Sequence, residues 1–215
     1  EINYQTEAVN MSRLIIGLEG HDGTGKSSTA IAIADLIGGH VFFSDDETKS
    51  LRHEIYGNKK LSHAEKMRRI EEIYLNESKK FETEMADRKI IVLDRTFYSH
   101  SVEENVMDKL DRKQSSTYQP KFIPKGVIKP DIVFQVIIPE RVRNQRVQDR
   151  GEHLTKRDER LRDDDIYRKA LESERKANGC VTVYMRERDP KTCALRVVQS
   201  LLGNKLVQPL SINLK

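Results

Sequence analysis

Apolar residues in this chain fall into two patterns: short unbroken runs, and longer stretches with an apolar position every three or four residues. The runs are Leu14-Ile15-Ile16-Gly17-Leu18, Val41-Phe42-Phe43, Ile90-Ile91-Val92-Leu93, Ile132-Val133-Phe134-Gln135-Val136-Ile137-Ile138 and Val181-Thr182-Val183-Tyr184. Their length and branched or aromatic content predict five strands buried on both faces. Residues 29–37 have helical composition and stop at Gly38-Gly39, a plausible C-terminal signal. Residues 62–88 contain neither glycine nor proline, and Met67, Ile70, Ile73, Tyr74, Phe81 and Met85 recur at mostly helical spacing, which predicts one long helix with at most one interruption. Strands alternating with helical segments imply right-handed crossovers, so the expected architecture is α/β, a three-layer sandwich around a parallel five-stranded sheet. Residues 108–129 are polar and rich in proline and lysine, and read as a surface loop or as a helix followed by a loop.

Length changes this picture little, since 215 residues suit one domain, placed at 11–203. The polar segment 1–10 precedes Met11 and reads as an N-terminal extension or an expression remnant, and 204–215 as a C-terminal tail. Charged residues reach 33% and the mean hydropathy is -0.66, yet the apolar residues stay clustered, which excludes disorder throughout. The net charge of +4 arises from 38 basic and 34 acidic residues that are mostly interleaved, a weak balance for binding a nucleic acid polymer. Cys180 and Cys193 are too few for a tetrahedral thiolate metal site and are expected as reduced thiols. No run is long enough to span a bilayer and no signal peptide is evident, so a soluble, cytoplasmic protein without membrane partners is expected.

Candidate chemistry changes the picture most. Gly20-His21-Asp22-Gly23-Thr24-Gly25-Lys26-Ser27 matches G-x-x-x-x-G-K-[ST] completely, with a predicted strand before it and a helix after it. Glycines let successive N–H groups turn into one concavity, and the following helix adds its positive end, so a polyphosphate is held mainly by backbone donors. Lys26 is expected to reach the β and γ phosphates, and the Ser27 hydroxyl to ligate Mg²⁺. This motif alone indicates a nucleoside triphosphate without separating kinase, GTPase and ATPase.

Asp94 closes a buried strand, where a carboxylate would hold the metal shell, face the acceptor, or cap the next helix. Arg95 beside it suits bidentate contact with an acceptor phosphate. Asp22, inside the loop, either faces the metal or an acceptor hydroxyl or braces the loop. Arg52 is a further candidate for the acceptor phosphate, against the alternative of a solvated helix face. Arg146 and Arg150 are four apart and share a helix face, and the arginine-rich stretch after them reads as a lid at about 150–163, or else as a salt-bridged surface helix.

Taken together, Leu18-Glu19-Gly20-His21-Asp22-Gly23-Thr24-Gly25-Lys26-Ser27-Ser28, Val92-Leu93-Asp94-Arg95, and Pro130-Asp131 before a strand followed by the 146–151 stretch resemble thymidylate kinases. The resemblance implies the P-loop nucleoside monophosphate kinase fold, ATP and Mg²⁺ as donor and cofactor, dTMP as acceptor, and a homodimer. By position it implies that Lys26 and Ser27 hold the phosphates and metal, that Asp22 lies near the acceptor sugar and metal, that Arg95 meets the acceptor phosphate, and that Arg146 and Arg150 lie under the adenine and at the start of the lid. Motif, strand end and resemblance together put Gly20, Asp22, Gly23, Thr24, Gly25, Lys26, Ser27, Ser28 and Arg146 at the donor nucleotide, and Ser27 and Asp94 at the metal. Arg52, Asp94, Arg95 and Phe97 fall at the acceptor, and Lys26, Asp22, Arg95 and Arg150 in catalysis. The acceptor side departs from the family: Phe43-Ser44-Asp45-Asp46-Glu47 replaces its arginine-glutamate-proline motif, and Thr96 stands where an aromatic is expected. A kinase of a nucleoside or other small metabolite therefore stays open, with Asp22 or Asp94 as base. A nucleotide-dependent switch, disfavoured by the missing asparagine-lysine-x-aspartate signature, and a binding module without catalysis stay open too.

Overall fold

The computed structural model describes residues 6–8, 13–112, 123–149, 156–185 and 189–209. In chain order its elements are β1 (Thr6–Ala8), β2 (Leu14–Glu19), α1 (Lys26–Ile37), β3 (His40–Phe42), α2 (Asp46–Gly57), α3 (His63–Glu84), β4 (Ile90–Asp94) and α4 (Phe97–Met107). A π-helical turn, Asp108–Arg112, continues α4, followed by β5 (Ile132–Ile137), α5 (Glu140–Asp149), α6 (Lys156–Asp163), α7 (Asp165–Ala177), β6 (Val181–Tyr184), α8 (Pro190–Gly203) and β7 (Val207–Pro209).

The five expected strands form one parallel sheet in the order β3-β4-β2-β5-β6. Alternation along the central strands sorts the layers. Leu14, Ile16, Leu18, Ile90 and Val92 pack with Ala30, Ile33, Cys193 and Val197 beneath α1 and α8. Ile91 and Leu93 turn the other way and meet Phe42 and Phe81, the latter from α3. A satellite cluster of Val102, Val106, Leu161, Tyr167 and Leu171 joins α4, α6 and α7. Helices thus cover both faces, as the unbroken apolar strands require.

Several element boundaries differ by a few residues from the sequence reading. Helix α1 starts at Lys26 rather than residue 29, because Lys26, Ser27 and Ser28 form its first turn. Strand β3 is shifted one residue earlier, to His40–Phe42. Helix α3 runs uninterrupted, and its start is fixed by a capping box in which Ser62 and Glu65 satisfy each other's backbone N–H groups. The described part of 108–129 is a helical continuation and then an irregular segment, and residues 113–122 of it lie outside the described residues. The termini, set aside in the sequence, contribute a pair: β1 and β7 run antiparallel with Thr6 opposite Pro209 and Ala8 opposite Val207.

The chain's path through the sheet positions the site. From β2 it crosses to β3 and returns to β4 on one side, then passes to β5 on the other, so β2 lies at the switch point where a parallel sheet opens a crevice at its carboxyl edge. The glycine-rich loop, Asp94 and Arg95 all leave the sheet at that edge.

Candidate active site

The loop after β2 wraps around an open helix end. Gly25 precedes α1 at φ 82°, a left-handed conformation natural to glycine, and no side chain caps the helix. By contrast α2, α3, α4, α7 and α8 begin with caps from Asp45, Ser62, Thr96, Asp164 and Asp189. The first N–H groups of α1 are left to an external acceptor, and no acidic residue stands in its first turn. Gly23 also has φ 82°, and a Cβ there would come within 2.8 Å of Val147 Cγ2 and 3.0 Å of Arg143 O. Helix α5 therefore packs directly on the loop and leaves no room for a side chain at that position. Gly20 lies against Val136 O, and Thr24, buried, donates through Oγ1 to His21 O at 2.9 Å.

Lys26 is buried, its Nζ donating to His21 O at 2.8 Å and lying 4.0 Å from Asp22 Oδ1. Burial, with the Arg95 charge adding to it, lowers this ammonium from 10.5 to about 7. Arg95 pairs with Asp22, so Lys26, Asp22 and Arg95 form one alternating charge cluster beside the loop. Ser27 Oγ donates to Asp94 Oδ2 at 2.5 Å, while Asp94 Oδ1 is buried and has no hydrogen-bond partner among the described residues. Ser28 is exposed on the first turn of α1. Arg146, on α5, donates from Nη1 to Gly23 O at 3.4 Å and hangs over Gly25.

Arg95 adopts φ 77°, a strained conformation for a side-chain-bearing residue, costing on the order of 1–3 kcal/mol. Its neighbours over-determine it. Arg95 N donates to Leu18 O at 3.1 Å, and buried Glu19 accepts from Thr96 N at 2.9 Å, from Thr96 Oγ1 at 2.7 Å and from Ser99 Oγ. Glu19 thus ties the end of β2 to the start of α4. Sequence reasoning did not single it out, although a charge ending an apolar buried run was the available signal.

Beside Asp94 and Arg95 opens a cleft, continuous with solvent and walled by Phe42, Tyr74, Phe97 and Ile128. Arg52 reaches it from α2 and Glu77 from α3, paired at 2.8 Å, with the Arg52 guanidinium 5.4 Å from the Tyr74 ring centroid. Arg52 is therefore not a solvated helix-face residue. Burial pushes the Tyr74 phenol up to about 12. Tyr74 and Phe97 meet edge to face at 5.1 Å.

The structure brings all but one of the expected site residues to this sheet edge, in two adjoining parts. Gly20, Asp22, Gly23, Thr24, Gly25, Lys26, Ser27, Ser28 and Arg146 surround the loop, while Arg52, Asp94, Arg95 and Phe97 line the cleft. Arg150 and the start of the expected lid, 150–155, lie outside the described residues. In the rest of that segment, Arg160 pairs with Asp111 and Asp164 and covers the Tyr167 ring, and Arg162 pairs with Asp163.

The profile of the family described as Thymidylate kinase matches residues 18–191, most of the chain. The chain belongs to the thymidylate kinase family. It is accordingly a kinase, a phosphotransferase that uses a nucleotide. A search among curated proteins finds no match. Among solved structures, a deoxyadenosine kinase from M. mycoides with bound dATP is similar at TM-score 0.60 and 18% identity over 88% of this chain and 100% of that one. A thymidylate kinase from Ehrlichia chaffeensis gives 0.55 and 16% over 89% and 100%. A thymidylate kinase from Candida albicans gives 0.57 and 15% over 93% and 99%. At these identities the likenesses speak for the fold, which is the P-loop nucleoside monophosphate kinase type. Among the described residues of this family member, no helix is long and apolar enough to cross a membrane.

Proposed function

We propose that this kinase moves the γ-phosphoryl group of ATP, with Mg²⁺, onto a nucleoside monophosphate in the cleft, and that it works in the cytoplasm as a homodimer. The observation that carries the reading is the uncapped N-terminus of α1 directly beside the Arg95 cleft. One part offers backbone donors and Lys26 to a polyphosphate, and the other offers guanidinium groups to a second anion.

The residues present fit the metal. Ser27 Oγ and the Asp94 carboxylate are hard oxygen donors already in contact, and Asp94 Oδ1 is buried with no partner among the described residues, which suits an ion held through few protein ligands and their waters. Bound there, Mg²⁺ would supply charge stabilisation for the phosphate oxygens. The remaining work falls to side chains. Lys26, held in the loop, faces the developing charge; Arg95, fixed by its strained backbone and Glu19, orients the acceptor phosphate; Arg146 covers the donor side of the loop. Arg150 completes the donor side in this reading.

Family membership makes dTMP the reference acceptor. The Asp22–Arg95 pair supports a second reading, a nucleoside acceptor, because an acceptor without phosphate leaves that pair intact and Asp22 or Asp94 available as base. The test is ADP formation from Mg-ATP across nucleoside monophosphates, nucleosides and sugars, each product identified by mass. Phosphorylation of a monophosphate is expected. Phosphorylation of nucleosides alone would replace the first reading by the second, and no transfer at all would reject both.

A further inference from the structure

Side chains of the glycine-rich loop reach partners on two sides. Asp22 pairs with Arg95, and His21, 3% exposed, sets its Nε2 at 3.2 Å from Glu172 Oε1 on α7. Such ties matter here, because Gly20, Gly23 and Gly25 all have positive φ and give the loop freedom rather than stiffness. In the proposed reaction Arg95 orients the acceptor phosphate and so loosens its hold on Asp22. The His21–Glu172 contact lies outside the lining of the cleft and stays in place throughout. His21 bears on the chemistry through its carbonyl oxygen, which accepts from Lys26 Nζ at 2.8 Å and from Thr24 Oγ1 at 2.9 Å. Anchoring the ring restrains that carbonyl too. An ionised carboxylate only accepts, so the contact sets a hydrogen on Nε2 and orients the imidazole.

We propose that Glu172 is a positioning residue for the phosphate loop: by holding the His21 ring it keeps the His21 carbonyl, and with it Lys26, aimed for the donor polyphosphate. The inference rests on the reading of this loop as the donor site. Glu172 is itself firmly placed. Its backbone oxygen accepts from Gln135 Nε2 at 3.3 Å, and Gln135, buried on β5, stands in register with Glu19, the last residue of β2 before the loop. Burial raises the Glu172 carboxyl above its ordinary value although Arg175, Arg168, Lys169 and Arg143 act the other way, so water does little to satisfy it and the imidazole N–H does more. Arg168, four residues earlier on α7, donates to Leu161 O near the end of α6 at 2.6 Å. One helix thus holds both the loop and the described part of the expected lid, the kind of support that keeps a binding constellation in shape between turnovers.

The experiment is equilibrium dialysis of Mg-ADP on the full chain, with initial rates from Mg-ATP and dTMP beside it; the binding arm stands whichever monophosphate the cleft takes. In Glu172→Ala the Kd for Mg-ADP and the KM for Mg-ATP should rise about tenfold while the KM for dTMP stays within about twofold. Glu172→Gln, which keeps an oxygen able to accept from Nε2, should return the Kd to within about threefold of wild type. His21→Ala should match Glu172→Ala, and the double variant should lose no more than the larger single loss, because both act through one contact. Glu174→Ala is the comparison for a structural role: Glu174 ties the same helix to α4 through Asn105 and Lys109, so its loss should lower the melting temperature and leave the Kd unchanged. A wild-type Kd in Glu172→Ala, an equal rise in Glu172→Gln or in Glu174→Ala, or losses that multiply in the double variant overturn the inference and leave the kinase reading standing. If Glu172→Ala does not fold, His21→Ala decides, a wild-type Kd again being the adverse result. A wild-type protein that binds no Mg-ADP removes the reading of the loop and the inference with it.

Discussion

Burial takes water from the Lys26 ammonium, Arg95 sets a second positive charge beside it, and His21 O with Asp22 returns only part of the lost solvation. A polyphosphate would supply the rest. Replacing Lys26 with Met should therefore lower turnover by roughly a hundredfold or more, while raising the melting temperature of the nucleotide-free protein by a few degrees, since a poorly compensated buried charge is removed. Turnover assays and thermal unfolding on the same preparation check both; unchanged turnover rejects the role given to Lys26. His100 supplies the pH dependence. It is buried against Tyr56, whose hydroxyl lies 2.7 Å from Nδ1, and desolvation lowers it from 6.5 to about 4. The unfolded chain takes up this proton below about pH 6.5 while the folded state refuses it until about pH 4, so stability is full above that window and falls as pH drops through it, by about 3 kcal/mol from this group. In His100→Gln the unfolding free energy should vary less between pH 6.5 and 4 than in wild type, and an identical pH profile would reject the assignment.

At the scale of elements, Glu19 joins β2 to α4 and so holds the bend that carries Arg95. Glu19→Ala would leave the Thr96 N–H and two hydroxyls without their acceptor inside the fold, a loss of about 3 kcal/mol. Because Arg95 depends on that bend, kcat should fall further than the KM for ATP rises; a variant with full stability and activity would show that the backbone of Arg95 is held elsewhere. This junction also marks the reach of the sequence. Strands buried on both faces announce themselves by composition, and the loop by a motif whose glycines and lysine have fixed spacing, so the sheet and the glycine-rich loop at its edge were legible. The partner of Arg52 was not, because Glu77 lies on a different helix and no local rule links them. Its only trace is a charged residue at a position that the spacing of Ile70, Ile73 and Phe81 assigns to the interior. The start of α1 was misjudged for a related reason: Lys26 to Ser28 are polar, and only their place directly after the glycine-rich loop makes them helical.

At the scale of the whole molecule, the chain ends meet in a sheet of their own. Strands β1 and β7 pair over three residues each and join no strand of the main sheet. A ribbon that short is marginal by itself. The helix before it, α8, draws its stability from another source, since Cys193, Ala194, Val197, Val198 and Leu201 are buried against the sheet and α1. The edge that carries the candidate site is built from β2, β4, α1 and α5, none of which belongs to the terminal pair. Deleting residues 1–10 should thus preserve a cooperative unfolding transition, lower its midpoint by no more than about 4 °C, the equivalent of about 1 kcal/mol in a domain of this size, and leave ATP turnover within about twofold of wild type. Circular dichroism melts and the ADP assay, run on the truncated and full-length chains, decide the matter. A collapse of the transition would mean that the terminal pair closes the α1–α8 layer and that the kinase fold extends to the first residues of the chain.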